Sequence, residues 1–193
     1  MAHTKARMFA LAAGLLLATA GGLNAQTPAP QATSPVATPL PAANPADVQS
    51  VDAIIAALYD VISGGVGQKR DWNRMRSLFV PHARMMPVGQ RPNAGVAIRL
   101  MEVNDYIATS GPYLETNGFR ERELARKTEQ FGHIVHVWST YEGRTETDST
   151  VLRGINSIQL MNDGTRWWVV AIFWEHERPD MPLPPQYLPA ARP

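Results

Sequence analysis

The sequence predicts an α+β domain in which helices come first and pack on one side of a curved antiparallel sheet. Three observations carry this. Apolar residues recur at helical spacing early in the chain. β-Branched and aromatic residues crowd Phe131–Tyr141. The stretch Leu152–Leu160, Asn162-Asp163-Gly164, Trp167–Glu175 sets two apolar runs around an Asp-Gly turn, the strongest short-range hairpin signal. Both faces of its second run are apolar, so that strand requires material on each side. No motif in the chain names a reaction.

The chain has 193 residues and no cysteine. Residues 1–25 read as a secretory signal: Lys5 and Arg7, an apolar stretch from Met8 to Ala20, and Leu23-Asn24-Ala25 as a small-residue exit. The apolar part is short for a membrane span of about 20 residues. Cleavage is therefore expected, with no stable membrane insertion afterwards and a periplasmic or secreted destination. Removing residues 1–25 takes two of the 18 basic residues and none of the 17 acidic ones, leaving a net charge near −1. That argues against nucleic acid as a partner. Residues 26–46 hold six Pro and six Ala, which reads as a disordered or polyproline-like linker. One domain, 47–193, remains.

Asp47 is placed to cap a helix over 48–63, with Val51, Ile54, Ile55, Leu58 and Ile62 inward. Ser63-Gly64-Gly65 ends it. Asp71 is placed to cap a short helix over 72–79, ended by Pro81. A short strand is expected over 83–88, and 94–100 is ambiguous. A third helix fits 102–117, with Gly111-Pro112 kinking or interrupting it. Residues 119–130 fit a charged helix or an exposed strand equally. Phe131–Tyr141 is a clear strand, and the hairpin follows.

Four stretches together resemble the NTF2-like superfamily, the cone-shaped α+β fold shared with SnoaL-like cyclases, scytalone dehydratase and ketosteroid isomerase. They are RDWNRMRSLFVPHARM (70–85), FGHIVHVWSTYEGR (131–144), RGINSIQLMNDGTRWWVVAIFWEHE (153–177) and LPPQYL (183–188). Within it the sequence resembles a bacterial secreted subgroup of unassigned function. The resemblance implies a cone with about three helices, a strand at 119–130, a pocket on the concave side and a homodimer through the convex side. It implies no reaction, because the fold hosts enzymes and non-enzymes alike.

The chemistry is sparse. In the isomerases an Asp stands just before a Pro-Val-Gly-like stretch. Here Met85 and Met86 precede Pro87-Val88-Gly89, and thioethers move no protons. His133 and His136 are three apart, which on a strand puts them on opposite faces, so no metal pair is expected. There is no nucleophile elbow or phosphate loop, and no cofactor is implied. His136 lies on a face with Ile134 and Trp138; it acts as an acid or base only if that face is concave. Tyr59 lies at the edge of the first helical stripe and is a second candidate for the chemistry. Glu121 and Glu123 share a strand face, where a solvated role is the simpler expectation.

A two-residue Asp163-Gly164 loop sets the hairpin register so that Asn162 opposes Thr165. Asn156 then stands among apolar residues, and a buried amide must be hydrogen-bonded. Arg153 then faces Trp174, a cation–π arrangement.

Two readings follow. The first is an exported module holding a small hydrophobic ligand, or acting as a dimeric interaction domain. The second is an isomerase, cyclase or dehydratase using His136 and Tyr59, with Asn156, Glu121, Arg153, Trp138 and Trp174 around the substrate. The excess of apolar strand residues over acid–base groups favours the first. The second requires at least two polar candidates to converge in one pocket with a shifted pKa.

Overall fold

The computed structural model describes residues 39–91 and 95–190; the expected signal and most of the linker lie outside them. Short α1 (Pro45–Val48) leads into α2 (Val51–Ile62) and α3 (Trp72–Leu78). Strands β1 (Phe79–Arg91) and β2 (Gly95–Ile98) follow, then α4 (Val103–Asn117). Last come β3 (Phe119–Phe131), β4 (Ile134–Thr145), β5 (Val151–Asn162) and β6 (Trp167–His176). The sheet order is β2-β1-β6-β5-β4-β3. All its pairs are antiparallel except β1 with β6, which is parallel. The helices cover the concave face of the curved sheet.

The first helix expected from sequence is two. Asn44 caps α1 and Ser50 caps α2, each accepting from a backbone N–H. Asp47 is no cap: its carboxylate receives Arg74 Nε at 2.7 Å and Nη2 at 2.9 Å, tying α1 to α3. Asp71 does cap α3, accepting from Arg74 N at 2.8 Å. That helix stops at Leu78, before Pro81, because β1 begins at Phe79.

Helix α4 runs unbroken through Pro112, opened by a Glu102–Asp105 capping box. Gly111 is there for packing: a Cβ would stand 3.1 Å from the Trp72 ring. The ambiguous 119–130 segment is strand β3.

The hairpin departs from its expected register. Asn162 pairs with Trp167, so the turn is the four residues 163–166. Asp163 organises it, with Oδ1 accepting from Thr165 N and Arg166 N. A bulge follows: Leu160 opposes Val169, but Gln159 opposes Ala171. The extra residue, Val170, reverses the facing of everything after it. Trp167 and Val169 point inward before the bulge, Ile172 and Trp174 after it. This parity change, together with the chain beyond β6, accounts for a strand that reads apolar on both faces. Residues 178–188 cross the outer face of the sheet, where Thr140 Oγ1 donates to Tyr187 O at 2.6 Å. The Tyr187 and Trp138 ring centroids lie 5.7 Å apart.

Candidate functional site

The inward faces of β3–β6 form rows across the sheet. Glu121 opposes Gly143; Tyr141, Gly154 and His176 form the next row; Ser139, Asn156 and Trp174 the next; Val137, Ile158 and Ile172 the one beyond. Above these rows, α2 contributes Leu58, Tyr59 and Ile62, and α4 contributes Tyr106, Thr109, Ser110, Tyr113 and Leu114. Between helices and sheet lies a cavity of about 470 Å³. Its walls are mainly apolar, with five polar side chains grouped on the sheet side and α2: Tyr59, Glu121, Tyr141, Asn156 and His176.

Glycines make room for this group. A Cβ at Gly143 would stand 2.5 Å from the Phe119 ring and 3.4 Å from Glu121 Oε2. One at Gly154 would stand 2.3 Å from the Tyr141 hydroxyl. The Tyr141 side chain passes over Gly154 to share a hydrogen bond of 2.7 Å with His176 Nδ1. Tyr59 OH lies 2.6 Å from Ser139 Oγ and accepts from Asn156 Nδ2 at 3.1 Å. Ser139 donates in turn to Glu123, which Arg126 holds in a bidentate ion pair.

The electrostatics follow from enclosure. Glu121 has no cationic partner in an ion pair, and burial pushes its carboxyl up to about 8, against a smaller opposing pull from the Asn156 amide. Burial raises Tyr59, Tyr106 and Tyr141 as well. It lowers His176, which lines the same cavity, so the imidazole is neutral near pH 7. At that pH the cavity therefore offers a carboxylic acid, phenols and an imidazole, all uncharged in their predominant forms. Glu121 and Tyr59 also line a polar groove outside the cavity, with Asp60, Ser63, Arg122 and Arg126.

Three sequence candidates converge here: Tyr59, Glu121 and Asn156. Trp174 lines the same cavity, its ring edge-on to Tyr106 at 6.3 Å. Three others do not join them. His136 lies on the opposite face of β4, with Nε2 2.9 Å from Ser157 Oγ, so it does not meet the concave-face condition. Trp138 is on that outer face too, against Tyr187. The expected Arg153–Trp174 pairing is replaced: Asn156 opposes Trp174, and Arg153 Nε lies 3.5 Å from Glu177. The four-residue turn and the bulge cause this shift. Tyr141, His176 and Tyr106 were not singled out from sequence. The alternation of β4 held the signal for Tyr141, which shares the parity of Val135, Val137 and Ser139. Among the described residues no group of three His, Cys, Asp or Glu side chains is placed to hold a metal.

This order of elements, with an apolar cup closed by helices, has the architecture of the NTF2-like cone fold. A protein of unknown function with a cystatin-like fold from Nostoc punctiforme superposes with a TM-score of 0.50 at 13% identity, covering 70% of this chain and 94% of its own. A Kribbella flavida protein gives 0.51 at 6% identity, covering 67% and 90%. An NTF2-like protein of unknown function from Methylobacillus flagellatus gives 0.44 at 14%, covering 67% and 95%. At these identities the likeness is one of fold alone. No protein-family model and no curated protein matches the sequence.

Proposed function

We propose that this protein takes up a small hydrophobic molecule in the cavity, with one polar end of the molecule set against Glu121. The carrying observation is a half-buried carboxyl group without an ion-pair partner on the wall of an apolar space of about 470 Å³. Such a group costs stability unless something polar meets it. A volume in this range suits a two- to four-ring molecule.

N-Phenyl-1-naphthylamine fluorescence tests the reading. Saturable binding at one site per chain is expected. Ser110→Trp, which fills the cavity from α4, should abolish it, and Trp138→Ala, on the outer face, should not. Binding that ignores Ser110→Trp would refute the site.

A second reading, proton transfer to and from carbon, is favoured by the same Glu121: an acid–base group near neutrality is suited to that task. Deuterium exchange beside the carbonyl of 2-tetralone, followed by NMR, should be accelerated by the protein and lost in Glu121→Gln. An unchanged rate in that variant removes this reading and leaves binding.

The leader at residues 1–25 supports export, and a periplasmic protein beginning at Gln26 is the expected product. Exposed Ile134, Trp138 and Phe173 on the outer face support a homodimer, which sedimentation equilibrium tests.

A further inference from the structure

The hydrogen bonds behind the cavity wall have a direction, and the direction limits what the cavity can receive. Glu123, paired with Arg126, is a carboxylate with no hydrogen to give. Ser139 is fully buried and has one hydrogen, which goes to Glu123. At 2.6 Å from Ser139 Oγ, Tyr59 must then be the donor of that bond. The Tyr59 oxygen in turn accepts from Asn156 Nδ2 at 3.1 Å. Each hydrogen that links Asn156 to Tyr59, Tyr59 to Ser139 and Ser139 to Glu123 points away from the cavity, while the second Asn156 N–H is left for the Glu121 side.

Two consequences follow. Tyr59 lines the cavity yet has no hydrogen to offer a ligand. The Asn156 amide is fixed with its nitrogen toward Tyr59, so its Oδ1 is an acceptor. That oxygen has no hydrogen-bond partner among the described residues, and it is not sealed in by protein. A bare carbonyl or ether oxygen on the ligand leaves this acceptor unmatched. A hydroxyl satisfies it, and its own oxygen stays available to the Glu121 carboxyl.

We propose that the cavity selects a hydroxyl-bearing apolar molecule, an alcohol or a phenol, whose O–H donates to Asn156 Oδ1 and whose oxygen meets the Glu121 carboxyl. This rests on the cavity being a ligand site. It adds Ser139 and Glu123 as positioning residues that set the donor–acceptor pattern without touching the ligand.

Titration calorimetry with 2-naphthol and 2-methoxynaphthalene at about pH 6.5, where a phenol is neutral, tests it. The two share a frame and differ in the hydroxyl hydrogen. The intact protein should bind 2-naphthol about tenfold more tightly, the scale of one well-made buried hydrogen bond. Ser139→Ala frees the Tyr59 hydrogen to reach an acceptor in the cavity, so the preference should narrow through tighter binding of the ether. Asn156→Leu should narrow it from the other side, through weaker binding of the naphthol. Near-ultraviolet circular dichroism identifies the folded variants, and either folded variant decides the point. Equal affinities in the intact protein, or a preference that either folded variant leaves intact, overturn the proposal while the cavity reading stands. Failure of both compounds to bind overturns that reading and the proposal with it.

Discussion

Gly154 leaves the space through which Tyr141 reaches His176: a Cβ at Gly154 would stand 2.3 Å from the Tyr141 hydroxyl and 2.3 Å from the Glu175 carbonyl. One contact is a side-chain tip that can swing away; the other is backbone in the paired strand. Gly154→Ala must therefore displace Tyr141 and strain the β5–β6 ladder together. The expected cost is about 1–3 kcal/mol, the range for overpacking a tight interior. Urea unfolding measures it. Tyr141→Phe in the Gly154→Ala background should recover only part of the loss, because the backbone contact persists. Full recovery would place the whole clash in the hydroxyl.

Glu121 makes stability depend on pH in a definite direction. Its carboxyl is pushed from 4.5 up to about 8, so between those values the folded protein keeps a proton that the unfolded chain has released. Stability from this group is fully present below about 4.5 and falls as pH rises towards 8. The full shift corresponds to an upper bound of about 5 kcal/mol, reduced by relaxation around the charged form. Glu121→Gln keeps the shape and removes the titration. The variant should match the parent near pH 4.5 and melt several degrees higher at pH 8. Parallel melting curves across that interval would show that Glu121 ionises freely in the folded protein.

The parts of this fold visible in sequence are those where side-chain period and strand geometry agree. Strand β4 alternates cleanly, with Val135, Val137, Ser139 and Tyr141 inward, and reads as a strand, although the expected start at Phe131 takes in the last residue of β3 and the turn at Gly132-His133. The following hairpin is legible in the sequence but its register is not. A bulge adds one residue with no compositional mark, and Val170 looks like its neighbours. Strand β3 has a second bulge at Leu124, which puts Glu121, Glu123 and Arg126 on one face despite mixed spacing and makes FRERELARKTEQ read as helix or strand alike. The site was only partly legible for a related reason. Its polar groups come from α2, β3, β4, β5 and β6 and meet through tertiary packing. Tyr59 and Asn156 could be suspected singly, but no spacing in the chain links them. His136 had the stronger chemical claim and the wrong parity.

Arg70 holds the connection between α2 and α3 to the rest of the domain. Its Nε donates to Ile62 O at 3.0 Å, its Nη2 to Gly64 O at 2.8 Å and Leu114 O at 3.0 Å, and its Nη1 to Gln68 O. Gly64 has no side chain where the guanidinium passes; a Cβ there would stand 2.5 Å from Nη1. Arg70→Met removes a donor from four carbonyls, of which Gly64 O keeps the Phe119 N–H at 2.9 Å. A loss of about 3 kcal/mol is expected. Arg70→Lys should recover less than half, because one ammonium cannot span a fork built for a planar group. Chemical denaturation of both variants separates the geometric contribution from the charge. A lysine variant as stable as the parent would show that charge alone suffices.

The hairpin turn contains its own acid-sensitive tie. Asp163 Oδ2 accepts from the Trp168 indole nitrogen at 2.7 Å, while Oδ1 accepts from Thr165 N, Thr165 Oγ1 and Arg166 N. The indole bond first, then the turn bonds, hold this carboxyl well below the usual range. Arg166 completes the cluster, its guanidinium 3.6 Å from the centre of the Trp168 ring. A depressed carboxyl stabilises the fold above its unfolded value near 3.8, and the contribution is lost as pH falls below that. Asp163→Ala should lower the melting temperature at pH 7, and lower it by less near pH 2, where the contribution has been partly lost. Asp163→Asn retains one acceptor, so it should keep either the indole bond or the turn bonds, and its loss at pH 7 should be intermediate. A deficit in Asp163→Ala that is the same at both pH values would show that the turn depends on the shape of this side chain rather than on its charge.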